Sequence, residues 1–187
     1  MRLFVVLYFT ALGLAFLFVE IAFLQRLQLL LGHPIYAVSA SLSGFLVFAG
    51  LGSGVSRRWL ERPRQGAALA VCGIGLAGLA AAAALDHALP LLAGTGIAIR
   101  FAAAVLVIAP LAFVMGIPFP LGLTIARELA PSLVPWAWGI NGCASVLSPL
   151  LASLLSIHTG FSAVLVLSIA LYAAAAVSLP LSRVRFS

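Results

Sequence analysis

Six stretches of this chain run for about twenty residues with almost nothing that water would hold, the length a helix needs to cross a bilayer's hydrocarbon. They cover residues 3–24, 35–55, 67–85, 97–117, 136–157 and 161–181. Lipid offers backbone amides no partner, so each stretch must satisfy its own hydrogen bonds as a helix. The expected fold is therefore all-α: a polytopic membrane helix bundle of about six transmembrane helices, with residues 1–187 forming a single transmembrane domain.

Composition supports the same solvent. Of 187 residues, 64% are hydrophobic and 7% charged, whereas a soluble domain carries about 25% charged residues. That excludes a cytosolic enzyme, a disordered tail and a disulfide-built secreted scaffold. The net charge of +6 comes from arginines set between apolar runs rather than on one basic face, so no nucleic-acid partner is expected. The opening MRLFVVLYF imitates a secretory signal, but the apolar run continues to Glu20 without a small-residue cleavage site. A retained first helix is expected. Cys72 and Cys143 lie inside apolar runs without C-x-x-C spacing and read as small buried thiols.

Arginine placement orients the bundle. SRRWLERPRQ, residues 56–65, holds Arg57, Arg58, Arg62 and Arg64, and cytoplasmic loops collect such charge. With that loop inside, Arg2, Arg127, Arg183 and Arg185 are inside too, leaving only Arg26 and Arg100 outside. Both termini are then cytoplasmic.

Within the spans, polar residues are few enough to single out. Asn141, Ser145, Ser148, Ala152 and Ser156 share one helical face. Such a row either packs a neighbouring helix closely or forms the polar wall of a substrate path. The second span carries Ser39, Ser43, Gly50 and Gly54, and its G-x-x-x-G pair is the expected contact for the fifth. Pro110 and Pro149 each remove a helical hydrogen bond, and Pro118 and Pro120, in MGIPFPLG, read as a helix exit. Glu20 stands roughly 26 Å along the first helix, near the outer edge of the hydrocarbon. A carboxylate there needs a partner, a proton or water. Arg26 is six residues on and on another side of the helix, so a partner for Glu20 would come from another span. Glu20, Arg26, Asn141, Ser145 and Ser148 are the candidates for substrate binding or a pathway.

No G-x-S-x-G, H-E-x-x-H or phosphate-binding glycine loop followed by lysine is present, and no catalytic residues or cofactor are expected. His33, Asp86, His87 and His158 fall on the outer side and are metal-ligand types, but they come from three separate turns without motif spacing. No metal is expected unless the fold brings them together.

The strings FVEIAFLQRLQLLLGHPIYAV, FAGLGSGVS, MGIPFPLG and PWAWGINGCASVLSPLLASLLS together resemble the membrane region of bacterial spermidine synthase-like integral membrane proteins. The resemblance rests on Glu20, Gln25, Arg26, Gly32, His33, Pro34, Tyr36, Gly50, Gly52, Pro118, Pro120, Trp138, Asn141 and Ser145. In that family a membrane part is joined to a Rossmann-like aminopropyltransferase or methyltransferase-like domain. This chain departs from it by lacking that domain's glycine-rich turn and acidic cluster. The resemblance thus implies a subunit of the bacterial inner membrane that anchors or serves a separate cytoplasmic catalytic partner. Two other readings stay open: a transporter or transporter-half for a small cation such as a polyamine, and a structural subunit of a larger membrane complex.

Overall fold

The computed structural model describes residues 1–180, so Arg183, Arg185 and the end of the expected sixth span lie outside the described residues. Seven α-helices follow one another among the described residues: α1 (Arg2–Leu31), α2 (Pro34–Val55), α3 (Pro63–Leu92), α4 (Ile97–Met115), α5 (Pro118–Leu129), α6 (Val134–Thr159) and α7 (Phe161–Ser178). Six stretches are long and apolar enough to cross a membrane, with α4 and α5 together forming one of them. The protein is an all-α polytopic membrane bundle.

Helix α1 is the axis. It is apolar on every side, and a helix of that kind belongs in the interior. Phe4, Tyr8, Phe9 and Phe23 fill space around it, while Ala11, Gly13, Ala15 and Ala22 let neighbours come close. Helices α6 and α7 pack along it and α2 covers another side, with α4 against α2 and α3 between α4 and α7.

The first helix runs to Leu31 rather than stopping near 24. Gln25, Arg26 and Gln28 end the apolar run, but they are good helix formers. The helix stops only at Gly32, whose φ of 71° suits a residue without a side chain. His33 then caps α2 by accepting the Ile35 amide on Nδ1, and Pro34 takes the first helical position. The Pro118 and Pro120 segment is also not a simple exit. Helix α4 ends at Met115, and α5 starts at Pro118, whose missing N–H costs nothing at a helix start. Pro110 and Pro149 stay inside α4 and α6, as does Pro90 inside α3.

Close backbone approaches fix the arrangement. A Cβ on Gly52 would collide with the Phe113 carbonyl, and one on Gly116 with the Ala49 carbonyl, so α2 and the end of α4 touch backbone to backbone. Gly122 lies against the Tyr8 ring, whose hydroxyl donates to the Pro118 carbonyl at 2.6 Å. At the other end Arg26 pairs with Asp86 and stacks 4.4 Å from the Phe161 ring centroid, tying α1 to α3 and α7. Arg64 donates to the Leu179 carbonyl at 3.0 Å, bringing the start of α3 to the end of α7.

Two expectations about burial are corrected. Cys72 and Cys143 are both exposed on the bundle surface. An apolar span does not mean a buried residue when the surroundings are lipid, because a thiol is at ease there. The Ser39, Ser43, Gly50 and Gly54 row of α2 does not pack either. Ser39 and Ser43 are exposed, with the Ser43 hydroxyl bonded to the Ser39 carbonyl of its own helix at 2.5 Å. Gly50 and Gly54 have open space where a Cβ would stand. The face of α2 that packs is Ala37, Ala40, Gly44 and Gly52, with Gly44 against Ile108 of α4.

Candidate functional site, a groove between α2 and α6

The polar row of α6 packs on α1 rather than on α2. Asn141 Nδ2 donates to the Phe9 carbonyl at 3.2 Å, Ser145 to Gly13 at 3.4 Å and Ser148 to Leu14 at 2.7 Å. Further along, the Ser156 hydroxyl donates to Gln25 Oε1 at 2.6 Å. Each pair is separated by 131 to 134 residues, and this near-constant offset means that the two helices run parallel. The physical reason is Gly13. With no side chain there, the α6 backbone reaches α1, and a Cβ on Gly13 would press on the Asn141 carbonyl and Ala144. Small polar side chains then reach carbonyls that a larger neighbour would have shielded.

Helices α2 and α6 both lie on α1, on either side of a gap. Of the rows expected to touch, only Gly50 of α2 and Asn141 and Ser145 of α6 line it, from opposite sides. The gap forms a cavity of about 600 Å³, floored by Leu12, Gly13, Phe16 and Leu17 of α1. Leu46, Ala49, Gly50 and Ser53 of α2 form one wall, and Trp138, Asn141 and Ser145 of α6 the other. The α4–α5 junction closes the end nearer the N-terminus of α1 with Gly116, Phe119 and Pro120. Leu46, Gly50 and Trp138 are exposed, so the groove opens sideways to whatever surrounds the bundle. Its volume falls within the range of small-molecule sites, about 300–1,000 Å³, and its lining is mostly apolar with a few polar groups, as such sites are.

A second cavity, about 200 Å³, adjoins the first at Leu17 and continues toward the C-terminal end of α1. Glu20 and Ser41 lie in its lining, and Pro149 closes the α6 side. Glu20 is 7% exposed. The Arg26–Asp86 pair is the sole ion pair among the described residues, so no span supplies Glu20 with a cation. Ser41 is 1% exposed and its hydroxyl has no hydrogen-bond partner. A buried, unpaired hydroxyl costs roughly 1–3 kcal/mol, which sets it apart from the serines that bond to their own helix.

Of the candidates read from sequence, Glu20, Asn141, Ser145, Gly50, Pro120 and Pro149 come together along this groove. Ser148 is buried against α1, and Arg26 is engaged with Asp86 outside the groove. Pro110 is exposed and Pro118 is buried beside Tyr8. The outer set His33, Asp86, His87 and His158 does not converge, and no three metal-ligand side chains meet among the described residues. His33 caps α2, Asp86 holds Arg26, and His158 contacts the Leu154 carbonyl of its own helix. Sequence reasoning missed Ser41, Ser53 and Trp138 as lining residues. The signal for Ser41 was present, because it follows Ala37 by four and precedes Phe45 by four on the buried side of α2.

Comparison with family models, with curated proteins and with solved structures finds no match for this chain.

Proposed function

We propose that this protein is a membrane subunit that takes an elongated, mostly apolar small molecule from the bilayer into the groove between α2 and α6. The observation that carries this reading is the unclosed gap on α1, about 600 Å³, lined mostly by apolar side chains with Ser53, Asn141 and Ser145 as its polar groups. The groove opens sideways, which suits a molecule already dissolved in lipid. Nothing along it resembles a nucleophile–base pair, so the groove binds and presents its occupant rather than transforming it.

A nitroxide-labelled decanol tests the idea in nanodiscs, using the full chain with Trp59→Phe and Trp136→Phe so that Trp138 is the one remaining tryptophan. Quenching of Trp138 should saturate, and Gly50→Phe, which has room to point into the groove, should abolish the saturable part. Quenching that only rises linearly with probe, or that ignores Gly50→Phe, refutes the reading.

A second reading is favoured by the end of the bundle that the arginine count places in the cytoplasm. Helix α5 lies against the short turn Ser56–Trp59, and Arg57, Arg58, Arg62 and Arg127 are all exposed at that end. Such a basic face fits a cytoplasmic partner, in line with the Rossmann-like domain of the spermidine synthase-like proteins that the chain resembles. The two readings are compatible, since a groove that gathers a substrate from the membrane would serve an enzyme docked beneath it. Gentle-detergent purification with mass spectrometry of co-purifying chains tests the partner. Replacing Arg57, Arg58 and Arg62 with Gln should release it, and co-purification unchanged by those substitutions counts against this docking face.

A further inference from the structure

The smaller cavity beside the groove holds the sole carboxylate of the whole channel and an unsatisfied hydroxyl, and the groove reading gives them no role. The Ser41 hydroxyl on α2 is buried without a hydrogen-bond partner, and Glu20 on α1, 7% exposed, is in no ion pair among the described residues. Pro149, on the α6 side, lacks the N–H that would bond the Ser145 carbonyl, which leaves an acceptor one turn away. The remaining lining is hydrocarbon: Leu17, Ile21, Leu24, Val38 and Leu42. In such surroundings a carboxyl group either keeps its proton or gives it up where it meets a cation.

We propose that this cavity recognises a singly charged alkylammonium, its ammonium group between Glu20 and Ser41 and its hydrocarbon body along the groove. The proposal rests on the groove being a binding site and names the chemistry of its occupant. A bare metal ion fits poorly, because hard cations take six or more oxygens and no ligand cluster forms among the described residues. An ammonium brings its own three donors and asks only for a few acceptors. The charge count selects a monocation: one carboxylate lines the two cavities, and the nearby Asp86 is committed to Arg26. A polyamine would leave further charges against leucine, phenylalanine and glycine. A zwitterionic ethanolamine lipid would bring a phosphate that no free cation here receives. Length agrees as well: Leu12 and Glu20 are eight residues apart on α1, about 12 Å, which a ten-carbon chain spans.

The test uses decylamine and decanol, each with the nitroxide at the chain end, so that a bound amine places its label near Trp138. The full chain carrying Trp59→Phe and Trp136→Phe is reconstituted in phosphatidylcholine nanodiscs. Glu20→Gln should weaken saturable quenching by the amine at least about tenfold, as expected for loss of a charge-assisted hydrogen bond. It should weaken the alcohol less than the amine, since a hydroxyl head loses only a hydrogen bond to the carboxylate and not an ion pair as well. The substitution keeps the shape of Glu20 and removes a charge from an apolar setting, so the variant should fold; Glu20→Asp, which keeps the charge, should fall between the two. Equal loss of amine and alcohol, or no loss of either, overturns the ammonium assignment. So does displacement of the amine when phosphatidylethanolamine replaces phosphatidylcholine, which would assign the site to the lipid. If neither probe saturates in the parent protein, the groove reading fails too. Saturable alcohol binding with no preference tied to Glu20 overturns only the ammonium site.

Discussion

Replacing Gly13 with leucine should unfold this protein far more readily than the same change at Gly50. The site at Gly13 is full: a Cβ there would press on the Asn141 carbonyl and the Ala144 side chain of α6. Overpacking of that kind costs about 1–3 kcal/mol. Moving α6 away also breaks three hydrogen bonds to α1, from Asn141, Ser145 and Ser148. Interhelical bonds in membranes average about 0.6 kcal/mol each, so the three add about 2 kcal/mol. The expected loss for Gly13→Leu is therefore about 3–5 kcal/mol. At Gly50 nothing stands within 4 Å of a Cβ, and the new side chain enters the groove. There the expected change is within about 0.5 kcal/mol, the usual size for a substitution that disturbs no packing. Reversible unfolding in bicelles by SDS titration, or steric trapping with paired biotin tags, measures both. Equal losses at the two glycines, or a larger loss at Gly50, would show that α2 and α6 meet there, as the sequence alone suggests, and that the groove is closed.

Other outcomes follow from single contacts. Gly52→Ala should cost at least about 1–3 kcal/mol by overpacking, because its neighbour is the Phe113 backbone and not a flexible side chain. Unfolding of purified Gly52→Ala and Gly54→Ala checks this, with Gly54→Ala near parent stability. The Arg26–Asp86 pair, with side chains 25% and 55% exposed, should show a coupling under about 1 kcal/mol in a double-mutant cycle, shrinking as salt rises. For orientation, a membrane-impermeant maleimide should label His87→Cys from outside the cell and Arg62→Cys only after the membrane is opened, both positions being exposed. Labelling in the reverse pattern would invert the assignment of the basic end to the cytoplasm.

The spans were legible because length and hydropathy are properties of each segment alone. Which face of a span meets which neighbour was not. In water, a helix announces its buried face by an apolar stripe, but these spans are apolar on most of their faces. Small residues were the remaining guide, and α2 carries two sets of them. Ser39, Ser43, Gly50 and Gly54 read as the packing row, yet Ala37, Ala40, Gly44 and Gly52 make the contacts. What separates the sets is the partner. Gly52 lies against the Phe113 backbone, and Gly116, next to the α4 terminus, returns the contact to Ala49. That reciprocity exists only between two helices and leaves no mark on either one. Glu20 was conspicuous from composition alone, whereas Ser41 became so only when its hydroxyl proved to have no partner.

The groove itself follows from how these small faces are spent. Helix α2 places its small face on α4, and α6 places its small polar face on α1. Both helices also touch α1, so they are held side by side without being drawn together. On the rim that remains stand Leu42, Leu46 and Trp138, exposed and too large to let two backbones approach. Gly50 lies among them, but a glycine shortens the distance between helices only if its neighbours on that face are small as well. The opening is then a consequence of α2 and α6 each having one close-packing face, already occupied. Glu20 faces the space left over because α1 must carry some residue toward each gap between its neighbours, and here it carries a carboxylate; Ser41 reaches the same space from α2.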